Sequence, residues 1–320
     1  MKLIIQIPCY NEEETLPKTL AELPREIPGV DSVEVLVIDD GSSDRTVEVA
    51  RENGVEHILS FTQHRGLARA FAAGLDAAVR AGADIIVNTD ADNQYHGPDI
   101  ALLVAPVLRG EADIVIGDRR PGTIPHFSWM KRRLQRLGSW VVRKVSRTEV
   151  PDAASGFRAY SREAALKINV VSDFSYVLET ILQAASKDLK IVSVPVRTNR
   201  VLRKSRLVSS LPNYLRRQTE TILRIYAMYE PLRVFSIIGG ATIIVGLALA
   251  IRFLYFFFTG QGGGHVQSVV AAGVFIILGF LILLGGLGAD LVAANRKILE
   301  DTLYRVRRME AERKKDTSQQ

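Results

Sequence analysis

Three short acidic clusters hold most of the chemistry that this sequence could perform. Asp90-Ala91-Asp92, with Gln94 two residues further on, offers two carboxylates and an amide oxygen at spacing i, i+2, i+4. Hard oxygen ligands in that pattern suit Mg²⁺ or Mn²⁺, a cation that keeps one side open for phosphates. An Asp-x-Asp by itself is also what a solvated acidic turn looks like. Asp39-Asp40-Gly41-Ser42-Ser43-Asp44 could accept hydrogen bonds from a base or ribose, or form a turn with Asp44 as a helix cap. Pro8-Cys9-Tyr10-Asn11-Glu12-Glu13-Glu14 reads equally as a plain loop with an acidic helix start. Cys9 has no His near it in sequence and reads as a small core residue rather than a nucleophile. A single Cys in 320 residues excludes a disulfide framework and a cysteine-built zinc site.

Each cluster follows a β-rich run, at residues 3–7, 33–38 and 85–88, and further runs lie at 114–116 and 191–194. Between them the apolar period changes to that of helices, over 13–23, 45–53, 67–81 and 98–109. This alternation predicts an α/β fold, a mostly parallel sheet covered by helices. Carboxyl ends of strands line the ligand crevice of such a sheet, so the three clusters are expected to converge on one site.

The second half reads differently. Residues 234–258 are 25 residues with one charge, Arg252, and 266–289 are 24 residues with none. At about 1.5 Å per residue either run crosses a hydrocarbon core of roughly 30 Å. A Gly-rich loop without Lys or Arg joins them, so they are expected to form a transmembrane hairpin. Eight Lys or Arg lie between Arg200 and Arg233 and eight more between Arg296 and Lys315. Positive flanks stay in the cytoplasm, which puts the soluble head and both termini there; if the source is prokaryotic, the membrane is the plasma membrane. Two buried core helices of a soluble protein are the bland alternative. Residues 1–7 lead straight into structure without a cationic leader, so secretion is not expected.

A net charge of +6 points to an anionic partner: nucleic acid, phosphate ligands or a membrane face. Residues 129–145 carry Lys131, Arg132, Arg133, Arg136, Arg143 and Lys144 among Leu134, Leu137, Trp140 and Val141. That is a cationic amphipathic helix suited to an anionic bilayer, and no nucleic-acid-binding signature accompanies it. Residues 211–229, with Tyr214, Tyr226 and Tyr229, read as a second interfacial helix. The expected organisation is a catalytic domain at 1–210, an interfacial helix at 211–232, spans at 233–258 and 266–289, and a cytoplasmic C-terminal helix and tail at 290–320. That last segment reads either as a solvated tail or as a helix packing on a catalytic domain or neighbouring protomer, giving a homo-oligomer. Gly239, Gly240, Gly246, Gly279, Gly285, Gly286 and Gly288 permit close helix approach.

Taken together, Pro8-x-Tyr10-Asn11-Glu12-Glu13, Val37-Ile38-Asp39-Asp40-Gly41-Ser42-x-Asp44 and Asp90-Ala91-Asp92-x-Gln94 closely resemble family 2 glycosyltransferases of the Rossmann-like GT-A fold. Asp152-x-x-Ser155-Gly156-Phe157-Arg158 and the hairpin narrow the resemblance to polyprenyl-phosphate glycosyltransferases, the group that includes dolichol-phosphate mannose synthase. The resemblance implies that Pro8, Tyr10, Glu12 and Asp39 hold the nucleotide, with Asp90, Ala91 and Arg119 also on the donor. It implies Asp90, Asp92 and Gln94 as ligands of Mg²⁺ or Mn²⁺, and Ser155, Arg158, Arg200 and Arg206 on the acceptor or its phosphate. Asp92 and Asp152 are the catalytic candidates, Asp152 as base or as organiser of the acceptor phosphate; Glu179 is a weaker acceptor-side candidate. The implied activity moves one sugar from a UDP- or GDP-linked donor to a dolichyl or undecaprenyl phosphate, with inversion. Two departures stand out. The lysine of Asn-x-Gly-Lys-Gly is missing from His64-Arg65-Gly66-Leu67-Ala68-Arg69, where Arg65 or Arg69 is left to supply the charge. Arg203 and Arg206 replace the Gly and Lys of Arg-x-x-Gly-x-Ser-Lys-Leu. A processive polysaccharide synthase is the second reading, although Gln-x-x-Arg-Trp is absent and two spans are too few for a channel. A non-catalytic membrane scaffold is the third, opposed by the intact Asp90, Asp92 and Gln94.

Overall fold

β1 (Lys2–Cys9) is buried along nearly its whole length and sets the layer plan. Successive side chains of a strand point to opposite faces, and here both faces are apolar. Leu3, Ile5, Ile7 and Cys9 enter one core and Ile4 enters the other. The computed structural model describes residues 1–120, 148–171, 176–199, 220, 230–260 and 262–317. In it β1 pairs in parallel with β2 (Ser32–Asp39) and β4 (Ile85–Asn88), and β2 pairs in parallel with β3 (His57–Ser60). β5 (Ile114–Asp118) and β7 (Ile191–Pro195) are parallel, and β6 (Arg158–Ser161) lies antiparallel between β4 and β5. The sheet order β3-β2-β1-β4-β6-β5-β7 changes direction between β1 and β4. A switch of that kind opens a crevice at the carboxyl ends of the two strands.

α1 (Leu16–Glu22), α2 (Thr46–Glu52) and α4 (Ile100–Leu108) cover the Leu3 face of the sheet. α3 (Leu67–Arg80), α5 (Arg162–Lys167) and α6 (Tyr176–Ser186) cover the Ile4 face. All five expected strands are present; β3 and β6 are additions, four residues each, with no apolar run to announce them. The helix expected from Glu13 begins at Leu16 instead. The Glu12 carbonyl accepts the amides of Thr15 and Leu16 in a turn, and Pro17 occupies the first helical turn. The helix expected over 98–109 divides into a 3₁₀ turn, Gly97–Asp99, and α4, which carries Pro106 inside. Asp44 was expected as the cap of α2. Arg45 occupies the cap position, while the Asp44 carboxylate accepts the Thr46 amide at 3.0 Å.

The chain separates into two compact units, Met1–Ile222 with Thr302–Gln320, and Leu223–Asp301. α7 (Pro231–Phe258) and α8 (Val266–Thr317) contain the two apolar runs, and both are long and apolar enough to cross a membrane. In the second unit Gly239 and Gly279 face each other: a Cβ on either would meet the other's carbonyl oxygen at 2.9 or 2.8 Å. Gly246 and Gly286 are likewise filled by Ile276 and Phe235, so the small residues serve packing between α7 and α8. In the first unit the last turns of α8 complete the α3/α5 core. Ala311 is buried there, Tyr304 donates to Glu163 at 2.9 Å, and Arg307 donates to the Ile168 carbonyl at 3.1 Å. The interfacial helices expected at 129–145 and 211–229, Glu220 aside, lie outside the described residues, as do Arg200 and Arg206.

Candidate active site

The loop after β1 and the loop after β2 are stitched to each other. Asn11, in the left-handed region at φ 53, donates its amide to the Ser42 hydroxyl at 2.9 Å and accepts the Ser43 amide at 2.8 Å. The Glu12 amide donates to the Thr46 hydroxyl at 2.8 Å, and the Glu12 carboxylate accepts from Thr15 at 2.6 Å. The neighbouring acids Asp39 and Asp40 divide the work. Asp40 is committed to the loop after β3: it accepts the amides of Arg65 at 2.7 Å and Gly66 at 2.9 Å and meets His64 Nδ1 at 2.9 Å. Among the described residues the Asp39 carboxylate accepts only the Ser42 amide, at 3.0 Å, and so keeps capacity for a ligand. The loop held by Asp40 carries His64 against Tyr10, ring centroids 4.1 Å apart, and Tyr10 remains exposed. An exposed aromatic beside a carboxylate with spare acceptor capacity is a surface on which a nucleobase and ribose can rest. Pro8 is buried at the strand end, and Cys9 is a core residue whose thiol burial holds in the neutral form.

Beyond β4 the chain turns through Asp90, Ala91 and Asp92. Thr19 donates to the Ala91 carbonyl at 3.0 Å, and Asp92 Oδ1 accepts the Gln94 amide at 3.1 Å. Asp90, Asp92 and Gln94 are all half-buried. Among the described residues no three His, Cys, Asp or Glu side chains enclose a common point. Two carboxylates on one turn, with Gln94 two residues after the second, suit a hard divalent cation whose remaining ligands are phosphate oxygens, and they do not fit a closed structural site.

Asp90 is crowded from the β6 side. A Cβ on Gly156 would lie 2.8 Å from the Tyr176 hydroxyl and 3.2 Å from an Asp90 oxygen. Asn88 at the end of β4 donates to the Gly156 carbonyl and to the Tyr176 hydroxyl, each at 2.9 Å, and accepts from Gln6 at 2.9 Å. The Gly156 amide donates to the Tyr95 hydroxyl at 3.0 Å. Burial pushes the Tyr95 phenol up to about 12, and burial together with the Asp90 charge pushes Tyr176 up as well. Both therefore act as neutral hydroxyls around the Asp90 carboxylate.

Arg119, just past β5, forms a buried bidentate pair with Asp152: Nε to Oδ2 at 2.7 Å and Nη2 to Oδ1 at 3.0 Å. Burial alone would lower the Arg119 pKa, but the charges of Asp152 and Asp90 and the hydrogen bonds to Asp152 outweigh it, and the guanidinium is held charged. Both Asp152 oxygens are occupied by this guanidinium, which suits an organiser better than a base. Arg158 is fully buried. Its guanidinium donates to the carbonyls of Ser155, Val177 and Ala153 and to the Thr180 hydroxyl at 2.7–3.0 Å, so it shapes the 152–156 loop from within the core. Ser155 is also fully buried, with no hydrogen-bond partner for its hydroxyl among the described residues. Glu179 is buried and accepts the Val171 amide and the Gln183 amide group, a helix-packing role. Sequence reasoning overlooked His64, Tyr95 and Tyr176. Tyr95 adjoins Gln94 and was open to notice; the other two are brought in by the fold.

The model of "Glycosyl transferase family 2" matches residues 4–168, just over half of the chain. The chain belongs to that family. The transferase is 29% identical to a polyprenol monophosphomannose synthase of Mycolicibacterium smegmatis, over 65% of this chain and 82% of that protein. It is 30% identical to an undecaprenyl-phosphate mannosyltransferase of Micrococcus luteus, over 61% of this chain and 83% of that one. Among solved structures it is similar to glucosyl-3-phosphoglycerate synthase from Mycobacterium tuberculosis in complex with Mn²⁺, UDP and phosphoglyceric acid. The TM-score is 0.56 at 22% identity, over 70% of this chain and 78% of that one, which supports the GT-A fold of the transferase.

Proposed function

We propose that this transferase moves one sugar from a nucleotide-sugar to a polyprenyl phosphate at the cytoplasmic face of a membrane, with inversion. One observation carries the reading. Tyr10, Asp39, Asp90 and Asp92 stand at the carboxyl ends of adjacent parallel strands, in a chain that also holds two helices of membrane length. The two mannosyltransferase relatives act, by their names, on polyprenyl phosphates, and the solved neighbour binds Mn²⁺ and UDP. Here Tyr10 and Asp39 would receive the nucleoside, UDP- or GDP-linked, with Pro8, Glu12 and Ala91 shaping the cleft.

Asp90, Asp92 and Gln94 would hold Mg²⁺ or Mn²⁺, which when bound neutralises the leaving diphosphate as a Lewis acid. The acceptor phosphate is already an anionic nucleophile and needs no base. Asp152 can therefore remain paired with Arg119, fixing a permanent positive charge where the diphosphate departs. Holding the anion in line with the anomeric carbon supplies most of the remaining rate enhancement, and direct attack inverts configuration. Arg200 and Arg206, spaced in sequence for phosphate, would take the acceptor headgroup. The basic flanks of both apolar helices support a cytoplasmic head and cytoplasmic termini.

The reading is tested through Asp92→Asn, which removes one carboxylate and leaves a side chain of the same shape. Donor consumption should fall by at least two orders of magnitude, with an unchanged melting temperature, and excess chelator should do the same to the unsubstituted protein. Full activity in the variant or in chelator would remove the metal from the mechanism.

A further inference from the structure

A carboxylate outside every motif holds the metal loop from behind. Glu22 closes α1 and is half-buried. Its Oε1 accepts from Asn93 Nδ2 at 3.1 Å, and its Oε2 accepts from Asn199 Nδ2 at 2.7 Å. Asn93 stands between Asp92 and Gln94 in the left-handed region, φ 56, a conformation that an L side chain adopts only at a cost. Asn199 follows β7 and immediately precedes Arg200 in sequence. Its amide donates to the Gln94 carbonyl at 2.9 Å, and its Nδ2 also lies 3.3 Å from the Tyr95 carbonyl and 3.4 Å from Asn93 Oδ1. Tyr95 and Thr198 add an antiparallel bridge. One carboxylate thus ties together the residue inside the Asp-x-Asp-x-Gln segment and the residue leading to the first acceptor arginine. With both oxygens engaged by amide donors, Glu22 serves the loop rather than a cation.

We propose that Glu22 is a positioning residue. Through Asn93 and Asn199 it holds the Asp92–Gln94 turn in the shape that binds a metal-nucleotide complex, and it fastens that turn to the chain entering the acceptor site. The inference rests on the proposed function for its acceptor half only. Because the turn and the Asn199 segment share one anchor, a ligand that orders either orders the other, and the two affinities are linked reciprocally.

The test uses the full-length protein in detergent with two substitutions, singly and combined. Glu22→Gln loses one of the two accepted bonds, because its amide group faces an amide donor. Glu22→Gln combined with Asn199→Ala removes the facing donor of the 2.7 Å bond as well, so the two losses should not add. Calorimetric titration of Mn²⁺ with UDP, and separately with GDP, reads the turn without any acceptor. Steady-state transfer to polyprenyl phosphate reads the acceptor KM and kcat. Loss of a charge-assisted hydrogen bond predicts a fall of about tenfold in Mn²⁺-nucleotide affinity for Glu22→Gln, with a raised acceptor KM. The Glu22→Gln, Asn199→Ala double variant should lose clearly less than the sum of the two single variants. Unchanged Mn²⁺-nucleotide affinity in Glu22→Gln, or strict additivity with Asn199→Ala, would overturn the proposal. If the unsubstituted protein transfers no sugar to polyprenyl phosphate, the functional reading fails, while the Mn²⁺-nucleotide titrations still decide the role of Glu22.

Discussion

Gly156→Ala adds a single methyl group at the most crowded point of the site. The backbone there is ordinary, so the effect is steric and not a matter of φ. The new Cβ would sit 2.8 Å from the Tyr176 hydroxyl and 3.2 Å from Asp90 Oδ1, where ordinary contact begins at 3.4 Å. Relief therefore needs a shift of about 0.6 Å (3.4 − 2.8) on one side and less on the other. Tyr176 cannot easily supply it: its ring stacks on Phe71 at 3.8 Å and its hydroxyl is held by Asn88 at 2.9 Å. Gly156 is pinned as well, by Tyr95 at its amide and Asn88 at its carbonyl. The half-buried Asp90 is the softest neighbour, so it moves. Overpacking of this kind costs about 1–3 kcal/mol, and at about 2–4 °C per kcal/mol for a head of this size the melting temperature falls by about 2–12 °C. Displacement of one metal ligand by roughly half an ångström should weaken Mn²⁺-UDP or Mn²⁺-GDP binding by about tenfold. Calorimetry and thermal melts of the full-length protein read both. Tyr176→Phe removes the 2.8 Å neighbour, so the double variant should recover at least ~1 kcal/mol relative to additivity. A Gly156→Ala protein with unchanged melting and unchanged metal affinity would refute the crowding argument, as would strict additivity with Tyr176→Phe.

Breaking the Arg119–Asp152 pair from either side, by Arg119→Met or Asp152→Asn, should destabilise the head by about 3–5 kcal/mol, because each leaves an uncompensated buried charge. Chemical denaturation of the two single variants and the double one should show coupling, the double losing much less than the sum. Tyr95 titrates near 10 when unfolded and at about 12 when buried, so its protonated form stabilises the fold below pH 10. That contribution, on the order of 2–3 kcal/mol, is lost as pH rises from 10 to 12, and alkaline melts of Tyr95→Phe should lack this component. Ala311→Asp puts a charge into the α3/α5 core and should lower the melting temperature of the first unit, by about 2–4 kcal/mol equivalent. Glu312→Lys on the exposed face, measured by the same melts, should stay within about 0.5 kcal/mol.

Much of the fold was open to reading because strands buried on both faces produce runs such as Leu3-Ile4-Ile5, which no helix or loop explains as well. β3 and β6 were not, since His57–Ser60 and Arg158–Ser161 owe their pairing to neighbours rather than to a pattern of their own. Spacing alone brought Asp90, Asp92 and Gln94 into view, as adjacency along one turn survives folding. Roles that depend on distant partners were beyond it. Asp152 reads as either a base or an organiser of the acceptor phosphate until Arg119, 33 residues away, is seen to occupy both its oxygens. Arg158 reads as a phosphate ligand until its cage of carbonyls is seen. Asp39 and Asp40 look interchangeable in sequence, and only the path of the loop after β3 separates them. The last turns of α8 could be read as a solvated tail or a docking helix, and the buried Ala311 shows docking within the chain's own first unit.

Transfer of a sugar to a lipid phosphate is tested most directly by the product itself. The purified full-length protein is incubated with Mn²⁺, polyprenyl phosphate and a series of radiolabelled UDP- and GDP-sugars, and the mixture is extracted with organic solvent. One donor should pass its label into the organic phase as a sugar released by mild acid, and Asp92→Asn should abolish it. Label that remains in water-soluble products with every donor, or that reaches the lipid equally well with Asp92→Asn, would contradict the proposed function.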